Sequence, residues 1–331
     1  MLNLTPQLMA VGFLVSFAVA DDGSDAPRHS IRWFKNFGEA RLASAKEKKP
    51  LLIDFEAEWC GFCKKLDRET YADEKVIRFV RDNFIAVKVD TDKHPELKSQ
   101  FKVNGLPTIL FLAPGGEETH RIVGFRPPTP FLKEARESAK SSSALVELKE
   151  AADKAPSDIA AQRAYTRALL AAGNAETAVE ILAAALEKCP DDVPEKATLL
   201  LDLGDARRVS GKAKQAAEIY GKVLALKPEK AGASRRKALL ALANVTLALR
   251  DHAAAIAALD EFLGSEFFES RPLAPSAQQE QLEALFLRGY AYAVLKDAGK
   301  ALADLKTAAK VDPDGHWGMR ASFIIATVEV P

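Results

Sequence analysis

The sequence predicts an α/β domain followed by an all-α helical solenoid. Three observations carry that expectation. Between residue 31 and about residue 140, short apolar runs bounded by proline, glycine or polar residues alternate with helical stretches. Beyond that point alanine and leucine dominate, strand-like runs vanish and the apolar periodicity becomes helical. The second half also repeats itself, with the same internal intervals recurring four times.

In chain order, residues 8–20, LMAVGFLVSFAVA, are apolar or small and uncharged. A bilayer-spanning helix needs about 17–25 such residues, so this shorter run fits the apolar region of a secretory signal. Ala18-Val19-Ala20 supplies a cleavage site, although MLNLTPQ before it carries no Lys or Arg. The expectation is a signal over 1–20 and an exported, periplasmic or extracellular protein, with no stable membrane insertion after processing. DDGSDAPRHS, residues 21–30, reads as a flexible leader.

A helix is expected over 37–48 and a buried strand over 51–55, bounded by Pro50. One helix follows over 60–82, then a strand over 84–89, a short helix over 95–101 and a strand over 108–112. Gly115-Gly116 marks a turn before a last strand over 120–123. Pro127, Pro128 and Pro130 precede a helix to about Ser138, since proline is tolerated in a first turn. This order implies a sheet covered by helices on both faces. SAKSSSA, residues 138–144, reads as a linker, so the domains are expected at 31–140 and 145–331.

In the second half, Gly173, Ala178, Leu182, Ala185 and Pro190 are matched by Gly211, Ala216, Tyr220, Val223 and Pro228. Lys296, Ala301, Leu305, Ala308 and Pro313 repeat the same spacing, and Arg250, Ala255, Leu259 and Phe262 repeat it without the proline. Gly204 and Gly289 lie seven residues before their turns, where small side chains let antiparallel helices approach; Thr166 and Ala243 stand there in units one and three. These units resemble the tetratricopeptide repeat over roughly residues 157–314. About four helix pairs and a capping helix over 316–330 are expected.

Balanced charge, with 46 Lys plus Arg against 46 Asp plus Glu, argues against a nucleic-acid partner held by phosphate neutralisation. Three cysteines exclude a disulfide-stapled scaffold. Cys60 and Cys63, three apart between a strand and a helix, can close a disulfide. The first thiol is expected to point outward from the helix N-terminus, where the dipole, Lys64 and Lys65 stabilise a thiolate. The pair could instead be half a zinc site or a structural disulfide. The third cysteine, Cys189, is 126 residues away and no histidine cluster accompanies the pair, so no metal site is expected. Cys189 reads as a buried small side chain.

Three segments together resemble the thioredoxin family. LLIDFEAEWCGFCK, residues 51–64, carries an Asp six residues before the first Cys of a WCxxCK site. IAVKVDTDKHP, residues 85–95, matches the next strand, and VNGLPT, residues 103–108, matches the segment that holds a cis-proline. Gly124 matches too. The resemblance implies a thiol–disulfide oxidoreductase with Cys60 as nucleophile and Cys63 as resolving thiol. It further implies that Asp54, buried near Lys88, shuttles a proton. Trp59, Gly61, Phe62, Leu106 and a cis-Pro107 would meet substrate. Phe62 stands where the commonest site has proline, so no redox potential carries over. No cofactor is implied; protein dithiols or disulfides and an upstream electron donor or oxidant are. The run KKLDRETYAD after Cys63 resembles exported thioredoxin-like domains, including those of membrane disulfide reductases.

First-helix residues of such repeats line a groove, here Arg163, Arg167, Asp202, Asp205, Arg208, Lys237, Asn244 and Tyr290, with a protein or peptide as the expected ligand. The alternative is a non-catalytic binding or assembly scaffold in which the thioredoxin-like fold serves recognition.

Overall fold

The computed structural model describes residues 30–190, 193–264 and 274–329. The expected signal at 1–20 and the leader, apart from Ser30, lie outside the described residues. Burial of the apolar runs builds a five-stranded sheet in the order β1-β3-β2-β4-β5. Its strands are β1 (Trp33–Phe34), β2 (Leu51–Glu56), β3 (Ile85–Asp90), β4 (Thr108–Leu112) and β5 (Glu118–Val123). Strands β1, β3 and β2 run parallel, whereas β4 pairs antiparallel with β2 and β5 antiparallel with β4. Strand β1 is a two-residue edge strand that the sequence pattern did not reveal.

Alternation along the strands sorts their side chains onto two faces. Leu51, Ile53 and Phe55 pack with Ala40 of α1 (Phe37–Glu47) and beside Leu97 of α4 (Pro95–Gln100). Leu52 and Ala86 face the other way, with Leu66 of α2 (Gly61–Glu69), Val76 of α3 (Glu74–Asn83) and Phe131 of α5 (Pro128–Lys154). By the same alternation Asp54, Glu56 and Lys88 lie on this second face.

Two expectations about helices need correction. The helix expected over 60–82 is broken into α2 and α3. Asp73 stops it by serving as the N-cap of α3, accepting the backbone N–H groups of Lys75 and Val76 at 2.9 and 3.1 Å. The SAKSSSA stretch is not a loop but the interior of α5, which continues to Lys154. No Gly or Pro interrupts it, and Ser138 and Ser142 extend the buried stripe of Phe131 and Ala135 to Leu145.

The repeats follow as α6 (Ile159–Ala171) with α7 (Ala175–Lys188), α8 (Pro194–Val209) with α9 (Ala213–Ala225), α10 (Pro228–Ala248) with α11 (His252–Leu263), and α12 (Pro275–Val294) with α13 (Ala298–Val311). Helix α14 (His316–Val328) covers the last pair. The four turn positions read from the sequence share one backbone state: φ is +82° at Gly173, +75° at Gly211, +63° at Arg250 and +64° at Lys296. A Cβ on Gly204 would come within 2.5 Å of the Tyr220 ring, and one on Gly289 within 2.7 Å of Leu305. Close helix contact therefore requires glycine at both places, and Thr166 and Ala243 are likewise buried in units one and three.

The halves touch at the β4–β5 turn. Ala113 joins Leu145, Tyr165 and Leu169 in one apolar cluster. The Asn174 side chain brackets the start of β5, accepting from the Glu118 N–H at 3.1 Å and donating to the Glu118 carbonyl at 2.7 Å. Tyr165 donates to Glu117 at 3.1 Å, and Lys48 pairs with Glu150 at 2.6 Å.

Candidate active site

Strand β2 ends at Glu56, and the chain turns through Ala57, Glu58 and Trp59 into α2. Cys60 is the N-cap of that helix. Its Sγ accepts the backbone N–H of Cys63 at 3.1 Å and is bonded to the Cys63 Sγ, with the Cα atoms 5.3 Å apart. The Cys63 N–H of the first turn thus points at sulfur, an arrangement that favours a thiolate once the bond is opened. In the disulfide form Cys60 is not outward-pointing as the sequence led us to expect. Cys60 is 4% exposed and Cys63 3%. Ala57 and Leu106 pack against the sulfurs, and the hydrogen bond to the Cys63 amide draws Cys60 Sγ toward the helix end.

The loop before β4 carries the Leu106–Pro107 peptide bond in the cis form. The Pro107 carbonyl accepts the Gly124 N–H at 2.8 Å, which fixes this loop to the end of β5. Gly124 itself has φ +83°. Around the disulfide stand two large exposed apolar side chains, Trp59 at 70% and Phe62 at 63%. The Trp59 indole N–H donates to Asp92 at 2.8 Å, which holds the ring at the rim. Gly61 faces open space, with no atom within 4 Å of where a Cβ would be. Val123, also exposed, adds a further apolar surface that the motif reading missed.

Asp54 sits buried on β2, opposite Lys88 of β3 in the strand register. Its Oδ2 is 3.5 Å from the Lys88 Nζ, and its Oδ1 is buried without a hydrogen-bond partner among the described residues. Lys88 makes shorter contacts with Glu56, at 2.6 Å, and with Asp67 of α2, at 2.7 Å. It also lies 5.3 Å from the Trp33 ring centre and 5.8 Å from that of Tyr71. Burial pushes the Asp54 carboxyl from 3.8 up to about 7; Lys88 pulls it down, while Glu56 and Asp67 push it further up. Burial alone would lower Lys88, but Asp54, Asp67 and Glu56 outweigh it and hold the ammonium above its ordinary value. Tyr71 is buried beside them and is raised well above 10.0, first by burial and then by the three carboxylates. Asp54, Glu56 and Asp67 offer oxygens within 4.8 Å of one another, the spacing of a cation site, and the Lys88 ammonium is the cation there. Sequence reading named Asp54 and Lys88 but not Glu56, Asp67, Tyr71 or Trp33. The period-two spacing of Asp54 and Glu56 on a strand was the available signal for one of these.

Chemically, this is a dithiol/disulfide pair at a helix N-terminus, beneath an apolar rim, with a proton-holding carboxylate on the sheet face under the same helix. Cys189 is elsewhere, buried among the side chains of unit one. The residues expected to line a groove divide. Asp202 is buried and paired with Arg163 at 2.5 Å and Arg167 at 3.1 Å, and Asp205 accepts from the Tyr220 hydroxyl at 2.7 Å. Asp205, Arg208, Lys237 and Asn244 line a mixed groove of about 400 Å³. Asn244 and Tyr290 line a larger apolar one of about 680 Å³ with Phe286, Met319 and Phe323. Among the described residues no helix is long and apolar enough to cross a membrane.

Residues 37–139 match the Thioredoxin-like domain family and residues 135–203 the Tetratricopeptide repeat family. The Thioredoxin-like protein slr0233 of Synechocystis sp. is 37% identical over 91 residues, which are 28% of this chain and 80% of that protein. The Thiol:disulfide interchange protein DsbD of Yersinia enterocolitica is 39% identical over 100 residues, 29% of this chain. The match spans 17% of the length of that protein. A thioredoxin from Thermus thermophilus superposes with a TM-score of 0.33 at 31% identity, covering 35% of this chain and 92% of its own. The chain therefore belongs to the thioredoxin-like family, its thioredoxin-like domain being followed by tetratricopeptide-type repeats.

Proposed function

We propose that this chain is an exported thiol–disulfide oxidoreductase whose repeats recruit a protein partner. The observation that carries the reading is the Cys60–Cys63 disulfide at the N-terminus of α2, next to the cis-Pro107 loop. In the reducing direction the Cys60 thiolate attacks a substrate disulfide sulfur. The substrate S–S bond breaks, and one substrate sulfur leaves as a thiolate that takes up a proton. Cys63 then gives its proton to Asp54 and attacks Cys60 Sγ. The Cys60–Cys63 bond re-forms, the second substrate thiol is released, and two electrons have passed to the substrate. An external dithiol must return them; with an oxidant upstream instead, the same steps run in reverse. Trp59, Gly61, Phe62, Leu106 and Pro107 form the surface on which the substrate segment rests.

The apolar 8–20 segment supports export to the periplasm or beyond, and the DsbD match supports thiol–disulfide interchange there. The domains are taken as 31–140 and 145–331, sharing α5, and the grooves lined by Asn244, Lys237 and Tyr290 are where a partner protein would sit. One observation favours the second reading, a scaffold with no turnover: the disulfide is almost wholly buried. Insulin reduction and dithiol oxidation, with Cys60→Ser as control, separate the two. Turnover abolished by Cys60→Ser is expected; no turnover by the unaltered chain in either direction would leave the scaffold.

A further inference from the structure

We propose that Glu56 is a positioning residue of the exchange site: its carboxylate draws the Lys88 ammonium off Asp54 and leaves Asp54 able to take the proton of Cys63. This rests on the reading of Cys60 and Cys63 as a redox pair. One ammonium faces three carboxylates, and its short contacts go to Glu56 and Asp67, at 2.6 and 2.7 Å. Asp54, directly across the strand pair from Lys88, is left at 3.5 Å, longer than a charge-assisted hydrogen bond, with its second oxygen unpartnered among the described residues. A buried Asp–Lys pair with no competitor would close to hydrogen-bonding distance, and Asp54 would become a weaker base.

Glu56 is suited to this work by its place. It is two residues from Asp54 on the central strand β2 and so on the same sheet face, beside Lys88. Its side chain retains contact with solvent at 26% exposure, whereas that of Asp54 is at 1%. Asp67 reaches Lys88 from the more exposed side of α2. The other groups facing Asp54 are Lys88 from β3 and Tyr71 from the turn after α2, and α2, which carries Cys63, packs on this face through Leu66. Strand β4 places Ile109 opposite, and α3 and α5 bring apolar side chains to this face.

In the resolving step Cys63 Sγ bonds to Cys60 Sγ, the bond from Cys60 to the substrate sulfur breaks, and the Cys63 proton passes to Asp54. Removing the Glu56 charge lets Lys88 close on Asp54, so Asp54 should lose its proton at lower pH and accept the Cys63 proton less readily.

The test compares the full chain with Glu56→Gln. Carbon-13 NMR of labelled aspartate reads the Asp54 titration in the oxidised protein, and single-turnover kinetics with a chromogenic aryl disulfide reads release from Cys60 against pH. Glu56→Gln should move the Asp54 midpoint down by about one pH unit. The acid limb of the release rate should follow it, and the plateau should fall several-fold. Asp67→Asn, on a different element, should shift both in the same sense, and it decides the matter if Glu56→Gln does not fold. Glu56→Asp should restore most of the difference. An unchanged Asp54 midpoint in a chain that still exchanges disulfides overturns the proposal alone. A wild-type chain that forms no mixed disulfide on Cys60 overturns the exchange reading, and the proposal with it.

Discussion

Both halves of the molecule bury aspartates, one in the sheet and two in the repeats, and treat them in opposite ways. In the repeats, Asp202 is met by Arg163 and Arg167, and Asp304 takes two hydrogen bonds from Arg288, at 2.7 and 2.8 Å. Arg288 also reaches Asp260, so it ties α12 to both α11 and α13. In the sheet, Asp54 has one long contact with an ammonium that two other carboxylates hold more closely, and one oxygen with no partner among the described residues. A planar guanidinium satisfies a carboxylate fully and fixes helices in register. A shared ammonium leaves the carboxylate dissatisfied, and a dissatisfied carboxylate is one that can hold a proton near neutral pH. The first arrangement serves stability, and the second suits the proton transfer proposed for Asp54.

The largest effect on stability should come from breaking the first arrangement. Asp304→Ala leaves Arg288 half-buried with Asp260 alone, and loss of one partner of a buried pair costs about 3 kcal/mol. Urea unfolding should show this for the repeat half; a change within error would mean that Asp260 suffices.

Asp54→Asn should act with the opposite sign. The folded-state carboxyl titrates at about 7 and the unfolded one near 3.8, so between those values the native state binds a proton that the unfolded state releases. Stability therefore falls as pH rises from about 4 to about 7, and the full penalty remains at pH 8. Asp54→Asn should remove that slope and stabilise the chain at pH 8 by a few kcal/mol, while slowing resolution of the mixed disulfide. A variant less stable than wild type at pH 8 would place Asp54 with the structural aspartates.

How far the sequence carries depends on whether the cause is local. The apolar run 108–112 is β4 residue for residue, and the cysteine pair and Pro107 fall where their motifs put them. Arg250 and Lys296 adopt the left-handed backbone of Gly173 and Gly211 because the interval between helices, rather than the residue, sets that turn. The break before α3 also has a local cause, but needed Asp73 to be recognised as a cap. Other features depended on more distant causes. The continuity of α5 depended on what Ser138 and Ser142 pack against. The gathering of Glu56, Asp67 and Lys88 joins residues from two strands and a helix, and Arg163 and Asp202 are 39 residues apart. Of the expected groove charges, Asp205, Arg208 and Lys237 do line a groove, whereas Asp202 is buried against Arg163 and Arg167, since charge pairing across units cannot be read from spacing within one.

A smaller effect should follow from Gly204→Ala. The added Cβ would stand 2.5 Å from the Tyr220 ring, so α8 and α9 must separate or the ring must move, at a cost of about 1–3 kcal/mol. If stability is unchanged, the ring moves freely and the tight helix contact is not required. The same substitution should leave the exchange chemistry alone, because Tyr220 belongs to a cluster formed only by repeat residues.

The smallest effect concerns the contact between the halves. Asn174→Ala removes both hydrogen bonds to the Glu118 backbone, and α5 still joins the halves through a continuous helix. The cost should be about 1–2 kcal/mol, because the β5 amide and carbonyl lose side-chain partners at a half-buried site. Turnover of a small disulfide should not change. The contact is at the β4–β5 turn, where Leu112 pairs with Glu118, whereas Pro107 and Gly124 flank the other end, where Thr108 pairs with Val123. Four residues of strand separate the two ends, about 14 Å. Proteolysis sharpens the point. A helix through 138–144 with buried Ser138 and Ser142 should resist cleavage there, and Asn174→Ala should not open it. Rapid cutting at 141–143 in the unaltered chain would show that the halves are joined loosely. The repeats would then act by tethering a partner at raised local concentration rather than by presenting it in a fixed orientation to Cys60.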